Sequence, residues 1–460
     1  MKILRLVGFA LLGLFGLVVL LYLAGLAINA RDQPPTAAAM RLQAMVDEDR
    51  HLADDKNAFV YVLGFAAPSD DDVKQVGARR AAWLRALNAG SARLEDDPGP
   101  APDASPRPSS LALGTLQSEC LGRQDAKCLD AFETAAATRR NDLEGLQLTR
   151  YRELLRYGRW RDVVPQNPRF APPPYGKVFN AQRLYFLDLR QRLGSLSPAD
   201  IRTALDADLS FWRQALSSAG YMVPKLLAVA ALRYHFCFGN LVLRQLPKGP
   251  SLEAAPQGWR QQFTREELSL LRTMSGELAF GEGTLRLWKD HPESLQGGAA
   301  VFPTSPFAVG VVSPLARPFL KLQDQKNYVA AQYESYARGF DIPLDQYPAA
   351  VDAVRLRAPP RLEFHVYNPV GHVFRSLADP AQWADYPKRI AAVEIMRRAA
   401  LLTMELRARG VAKASIAGEL SRAELRDPFE DAAFEWSAED NAVIYPGAEA
   451  DQRRRCAYFF

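Results

Sequence analysis

The stretch KLLAVAALRYHFCFGNLVL, residues 225–243, decides the fold class of this chain. It is apolar on almost every side, which is typical of a helix buried at the centre of a helical protein. Arg233 and His235 lie within it and Arg244 follows it, and these three argue against a membrane span. We therefore expect a mainly α-helical fold built around this helix.

Apolar residues recur at three- to four-residue spacing along most of the chain beyond residue 111. Two places favour minor β structure instead. We expect a short strand near 59–65, although periodicity does not separate a strand from a buried helical segment in so short a run. Residues 434–436 and 443–445 flank a polar turn and predict a small C-terminal hairpin.

The N-terminus carries an uncharged apolar run, LVGFALLGLFGLVVLLYLAGLAI, at residues 6–28. A helix of this length crosses the ~30 Å hydrocarbon layer, whereas the apolar part of a secretory signal is usually shorter. Lys2 and Arg5 precede the run and favour a cytoplasmic N-terminus. The abundance of Arg, Ala and Leu indicates a GC-rich bacterial genome. We expect a single-pass bacterial inner-membrane protein with a periplasmic body, and a cleaved signal peptide is the alternative.

The rest of the chain divides by composition. Residues 1–30 form the anchor, 31–88 a membrane-proximal segment, 89–110 a Pro/Ala-rich loop or linker, and 111–460 a mainly helical periplasmic domain. A chain of 460 residues can bury one large core or two to three smaller ones. The net charge of +5 is too dilute to argue for nucleic acid as a partner.

The cysteine pattern agrees with export. The chain has 4 Cys, and no C-x-x-C pair is present, which excludes zinc-ribbon and thioredoxin-like sites. We expect a disulfide between Cys120 and Cys128, which requires the chain to turn between them because a continuous helix would hold them too far apart. Cys237 is predicted to be a buried core residue, and the sequence leaves its pairing with Cys456 open.

Standard catalytic signatures are missing. The sequence has no H-E-x-x-H, S-x-x-K, G-x-S-x-G or P-loop motif, and it gives no reason to expect a cofactor or a metal. The weak catalytic candidates are Glu363, His365 and His372, which flank an Asn-Pro-Val-Gly turn and would suit a metal site or an acid/base pair. An exposed strand followed by a helix-starting His is the structural alternative. The sequence leaves enzyme activity undecided, leaning towards a non-catalytic protein.

A run of alternating basic and aromatic residues is the densest positive patch. We predict that it binds an anionic lipid, lipopolysaccharide or cell-wall polymer, because an exported domain rarely meets nucleic acid. The alternative is a solvated arginine face of an amphipathic helix. The candidate binding residues are Arg150, Arg152, Arg156, Arg159, Trp160 and Arg161.

Two further segments carry expectations. The uncharged stretch 296–316 contains three prolines that prevent a spanning helix, so we expect a buried irregular segment or a membrane-touching loop. The acidic triplet Asp70-Asp71-Asp72 is predicted to start a helix, with Ser69 or Asp70 as the N-cap.

Short motifs at 57–68 (Asn-Ala-Phe…Leu-Gly-Phe-x-x-Pro), 368–371 (Asn-Pro-Val-Gly) and 427–429 (Asp-Pro-Phe) resemble membrane-anchored proteobacterial proteins of unknown function. That resemblance implies no activity. We expect a non-catalytic binding or scaffold protein of the cell envelope. The alternatives are an envelope hydrolase with a site at Glu363, His365 and His372, and a lipid- or solute-binding module that uses 296–316.

Overall fold

A computed structural model of the chain describes residues 2–48, 52–99, 111–120, 126–291, 313–356, 365–377, 383–445 and 456–460. The mainly helical fold is confirmed, with 71% of the structure in helices and 2% in strands. The helices are α1 (Lys2–Ile28), α2 (Ala37–Glu48), α3 (Ala58–Leu63), α4 (Val73–Asn88), α5 (Leu111–Cys120), α6 (Ala126–Ala137), α7 (Asp142–Leu154), α8 (Tyr175–Arg192), α9 (Pro198–Ser218), α10 (Met222–Arg244), α11 (Lys248–Ala254), α12 (Arg265–Leu268), α13 (Leu271–Asp290), α14 (Ser313–Ala316), α15 (Leu322–Gly339), α16 (Tyr347–Arg355), α17 (Pro369–Leu377), α18 (Tyr386–Ala408) and α19 (Ile416–Arg422). The strands are β1 (Glu435–Ser437), β2 (Ala442–Tyr445) and β3 (Cys456–Phe459).

Helix α10 is the centre of the fold, as the sequence predicts. It packs against α8, α9 and α18, and the side chains of Leu232, Phe236 and Leu243 are fully buried. Pro224 lies in its first turn, where the missing N–H costs no helical hydrogen bond. One apolar core surrounds this helix and includes side chains from α3 and α4. The membrane-proximal segment therefore contributes to the same core as the helices beyond residue 111.

The short strand expected near 59–65 is wrong. Residues 58–63 form helix α3, and all six of its side chains are buried. Asn57 caps the helix by accepting a hydrogen bond from the N–H of Phe59 at 3.1 Å. Burial on every side removes the periodic signal, and no strand lies beside this run in the described parts of the chain.

Glycine allows α3 and α4 to approach closely. A Cβ atom on Gly77 would lie 2.1 Å from the carbonyl oxygen of Val60, so no larger residue fits there without moving one helix. Helix α4 begins where the acidic triplet predicts. Its N-cap is Asp72, not Ser69 or Asp70, because the Asp72 carboxylate accepts from the N–H of Lys74 at 2.8 Å.

The C-terminal hairpin is confirmed and gains a third strand. Strands β1 and β2 pair antiparallel with Trp436 opposite Val443, and β3 adds to β2 with Tyr458 opposite the same Val443. The sheet lies against α10 and α18, where Val443 and Tyr458 are buried. No sequence pattern predicts β3.

Two described helices are long and apolar enough to cross a membrane. In α10, 72% of the most apolar stretch is buried, as expected for a core helix. The apolar part of α1, Leu6–Ile28, is 0% buried, and we call it the anchor. This helix is compatible with a single-pass membrane anchor, and a signal sequence near the N-terminus would look the same.

Candidate functional site

A pocket of about 460 Å³ opens between α12, the C-terminal end of α15, α16, α18 and the turn at 427–431. One wall is apolar and is formed by Phe263, Leu268, Phe340, Leu344 and Tyr347. The phenol of Tyr347 donates to the carbonyl oxygen of Phe340 at 2.9 Å, which fixes this wall. A concave surface of this size with an ordered apolar wall suits a small molecule or one or two side chains of a partner.

The lining of the pocket is also rich in acidic residues. Two arginines, Arg265 and Arg398, face five carboxylates, so the lining carries an excess of negative charge. Arg265 lies 3.7 Å from Asp341 in an exposed pair. The acidic residues are Asp341, Asp345, Glu394, Asp427 and Asp431.

Glu394 lines the pocket and is only 2% exposed. Burial alone would raise its pKa, but hydrogen bonds from Arg397 and Arg398 outweigh burial and lower the pKa. Arg397 donates to both carboxylate oxygens, at 2.8 and 2.6 Å, and the N–H of Phe263 donates at 3.2 Å. This carboxylate is therefore held ionised, and its acceptor positions are used by the protein.

Asp427 also lines the pocket and behaves differently. Burial and the nearby Glu430 raise its pKa, against hydrogen bonds from the N–H groups of Phe429 and Glu430 and the positive charge of Lys388. Its turn is held in place because Arg398 donates to the carbonyl oxygen of Arg426 at 3.0 Å. A partly buried carboxyl with a raised pKa would gain from a cation beside it, so the pocket is suited to a positively charged group.

The reactive side chains described in the lining of the pocket are carboxylates, one tyrosine and one serine. Among the described residues that line it there is no His, Cys or Lys. The one lining serine, Ser269, accepts through its hydroxyl from the N–H of Leu271 at 3.2 Å. The arrangement can bind a ligand through its carboxylates and its apolar side chains.

The catalytic candidates lie elsewhere, and Glu363 falls outside the described residues. The structure brings the imidazoles of His365 and His372 together, with ring centroids 3.5 Å apart and planes 14° from parallel. Nε2 of His372 lies 3.3 Å from the guanidinium of Arg375. The described residues hold no group of three His, Cys, Asp or Glu that could bind a metal. A chemical role for these histidines stays a prediction.

The six basic and aromatic candidates at 150–161 do not form one surface. Arg150 is buried and donates to the carbonyl oxygens of Phe65, Ala67 and Pro68 at 3.0, 2.6 and 2.9 Å. Its pKa is lowered by burial.

Trp160 is also buried and donates its indole N–H to Asp162 at 3.1 Å. Arg152 pairs with Asp188 and is half-buried, as is Arg161, whereas Arg156 and Arg159 are exposed. A patch that binds an anionic polymer stays a prediction, and it would use the four arginines other than Arg150.

Sequence reasoning missed a buried network that resembles a catalytic dyad. Nδ1 of His235 lies 2.8 Å from the Asp208 carboxylate, which also accepts from the phenol of Tyr151. The indole N–H of Trp259 donates to Nε2 of His235 at 2.8 Å. Because an indole can only donate, Nε2 is the acceptor and the proton lies on Nδ1. Both imidazole nitrogens are occupied in a site with no solvent access, so the network is structural.

Cys120 and Cys128 are adjacent. Their sulfur atoms lie at bonding distance, and their Cα atoms are 4.9 Å apart, within the range of disulfides. The turn expected between them, at 121–125, lies outside the described residues.

The residues directly after the anchor are built into the body of the protein. Asn29 is 2% exposed, accepts from the N–H of Asn368 at 2.7 Å and donates to the carbonyl oxygen of Val366 at 2.8 Å. Asp32 accepts from the N–H groups of Gln323 and Asp324, at 2.9 and 3.0 Å, at the start of α15. We call these contacts the anchor junction. Only the Asn-Pro-Val-Gly motif, which starts at the buried Asn368, marks it in the sequence.

Comparison with protein-family models, with curated proteins and with solved structures gives no match. The pocket and the anchor junction are therefore the features from which a function can be inferred.

Proposed function

We propose that the chain is a single-pass inner-membrane protein whose helical body lies in the periplasm and binds another component of the cell envelope without catalysis. The pocket between α12, α15, α16 and α18 is the observation that carries this proposal. It is concave, and the described residues that line it include no His, Cys or Lys. Lys2 and Arg5, which precede the anchor, support the orientation with the N-terminus in the cytoplasm.

The anchor junction supports an anchor that is retained. Cleavage near Ile28 or Arg31 would remove or free Asn29, whose side chain bonds to both Val366 and Asn368. A buried backbone N–H left without its acceptor costs about 1–3 kcal/mol. The folded body therefore depends on a residue that a signal peptidase would separate from it or leave at a new terminus.

The charge of the pocket indicates the chemistry of the partner. Five carboxylates and two guanidiniums beside an aromatic and aliphatic wall favour a cationic group next to apolar side chains. A basic segment of an envelope protein has this composition. The anionic polymer predicted from residues 150–161 would have to bind elsewhere on the molecule, because this pocket would repel it.

Site-specific photo-crosslinking in intact envelopes tests the proposal. The photoreactive residue replaces Leu344 in the pocket, and the matched control replaces Leu252, a leucine that is 44% exposed on α11. We expect a discrete adduct from position 344 alone, weakened by the double substitution Asp345→Asn and Asp431→Asn. The absence of an adduct from position 344 would contradict a cation-binding pocket. An adduct whose yield does not change when both carboxylates are substituted would also contradict it.

A further inference from the structure

A short turn between residues 313 and 319 contacts the anchor a few residues before its C-terminal end at Ile28. We use the name α14 turn for residues 313–319, which comprise α14 and the 3₁₀ turn Arg317–Phe319. The ring of Phe319 lies 5.4 Å from that of Tyr22, edge to face, and the phenol of Tyr22 donates to the carbonyl oxygen of Leu315 at 3.3 Å. A Cβ atom on Gly25 would lie 2.9 Å from the Phe319 ring. The contact is therefore close and uses one face of the helix.

The position of this contact along the anchor sets its depth. Tyr22 precedes Ile28 by six residues, which corresponds to about 9 Å along a helix axis. The apolar run of 23 residues is about 34 Å long, close to the ~30 Å of a bilayer's hydrocarbon layer. Tyr22 and Gly25 thus lie at or inside the edge of that layer when α1 spans it. Any segment packed on them lies in the membrane interface, not in bulk water.

The side chains of this region suit an interface between lipid and water. Leu315 is 59% exposed and Val366, whose carbonyl oxygen bonds to Asn29, is 49% exposed. Three basic residues lie within the α14 turn or beside Leu320, which directly follows it. Lys289 donates to the carbonyl oxygen of Leu320 at 3.2 Å, and the pKa of Lys321 is lowered by burial and by Lys289. Arg317 lies within the α14 turn itself.

We infer that the α14 turn is a second membrane contact, with Leu315 among the acyl chains of the periplasmic leaflet. Arg317, Lys321 and Lys289 would lie at the level of the lipid phosphates, where basic side chains gain from anionic headgroups. This inference rests on the proposed retention of the anchor. It would give the body two points of attachment to the bilayer, one covalent through α1 and one through this turn.

Spin-label depth measurements on the full chain test the inference. One label is placed at Leu315→Cys and a matched label at Leu252→Cys, both with Cys456→Ser, in vesicles of phosphatidylcholine and phosphatidylglycerol. We expect the label at 315 to collide more with oxygen than with a water-soluble nickel chelate, and the label at 252 to show the reverse. A label at 315 that is as accessible to nickel as the one at 252 would overturn the inference.

Mass spectrometry of the same samples separates this outcome from a failure of the anchor. An intact N-terminus and sedimentation with the vesicles, combined with a water-exposed 315, would overturn the second contact alone. A chain that begins near Ile28 or Arg31 and stays in the supernatant would overturn both proposals.

The headgroup contacts have their own test. Removing phosphatidylglycerol, or substituting Arg317, Lys321 and Lys289 together by Gln, should move the label at 315 towards water. The matched control substitutes the exposed Arg79 and Arg422 by Gln, which belong to neither the pocket nor the basic run at 150–161, and should leave the depth unchanged. Equal depth in all of these samples would overturn the assignment of the three cations to lipid phosphates.

Discussion

The side-chain oxygen of Asn29 accepts a hydrogen bond from the backbone N–H of Asn368 at 2.7 Å, across 339 positions of sequence. This bond joins the end of the anchor to a buried turn in which Asn368 has a positive φ of 49°. This pair is one of several contacts that join α1 and the residues after it to the body.

Substituting Asn29 should loosen this junction. We expect Asn29→Ala to destabilise the fold by about 1–3 kcal/mol, because the N–H of Asn368 and the carbonyl oxygen of Val366 lose their partner. Asn29→Asp keeps the acceptor but loses the donor, so its free energy of unfolding should lie between those of the natural chain and Asn29→Ala. Denaturant unfolding in detergent measures both. Equal stability of all three chains would show that the junction contributes nothing to the fold.

Substituting two helical glycines by alanine should have opposite effects on stability, because Gly77 lies at the close contact of α3 and α4 and Gly145 has open space on α7. Gly77→Ala should cost about 1–3 kcal/mol, because the new methyl group meets the carbonyl oxygen of Val60. Gly145→Ala should stabilise by about 0.5–1 kcal/mol, since α7 has open space there and alanine favours the helix. Thermal unfolding of the two variants compares them directly. A stabilised Gly77→Ala chain would mean that the helices are further apart than described.

The network around His235 predicts a loss of stability without a loss of binding. His235→Phe removes one of the donors to the buried Asp208 carboxylate, which keeps Tyr151 and Gln182, and the acceptor of the Trp259 indole. It should cost about 1–3 kcal/mol. Trp259→Tyr, as a milder control, removes only the indole donor. Denaturant midpoints measure stability, and crosslinking at Leu344 measures binding in the fraction that stays folded. A stable His235→Phe chain that no longer binds would point to a functional dyad.

Lys225 predicts a rise in stability with pH. Burial lowers its pKa from 10.5 to about 7, and its amine donates to the carbonyl oxygens of Leu216 and Glu267 at 2.8 and 2.7 Å. Between pH 7 and 10.5 the unfolded chain binds more protons at this site than the folded chain, so stability rises with pH by at most ~1.4 kcal/mol per unit.

The measurement is the free energy of unfolding at several pH values for the natural chain and for Lys225→Met. We expect the difference between them to change between pH 7 and 9 and to be flat below pH 6. Burial raises the pKa of Glu277 from 4.5 to about 6. The folded chain therefore binds more protons at Glu277 between these pH values, so this residue makes stability fall as the pH rises, and only over that acidic range. A constant difference up to pH 9 would show that Lys225 stays charged in the folded protein.

The Cys120–Cys128 pair predicts sensitivity to reductant. In protein purified from an oxidising compartment we expect a mass two hydrogens below the fully reduced value, and a lower melting temperature after reduction. Closing so short a loop is worth about 2–3 kcal/mol at most. Cys120→Ala with Cys128→Ala should melt at the reduced temperature whether or not reductant is present. Melting temperatures that do not differ would show that the two sulfurs are not bonded in the protein.

The sequence was sufficient for the features that rest on local chemistry. The apolar run 225–243 with its internal Arg and His predicts the buried α10, and the acids at 70–72 predict the start of α4. The run at 59–65 was misassigned because burial on all sides removes the period that distinguishes a helix from a strand.

The pocket and the anchor junction could not be predicted, because long-range packing builds both. Phe263, Tyr347, Glu394 and Asp427 come from four separate parts of the chain and carry no common spacing. Arg150 shows the converse error. A guanidinium in a basic run looks like a surface group until the fold places three carbonyl oxygens around it.

The anchor junction also changes how a partner would be found. On the proposal that α1 is retained in a bilayer, a body joined to it at Asn29 and Asp32 samples fewer orientations than a domain on a flexible tether. Its pocket would then stay within a narrower range of heights above the bilayer. A partner held in the same membrane would search for the pocket in two dimensions, so even a weak contact at Asp427 would be occupied at low copy number.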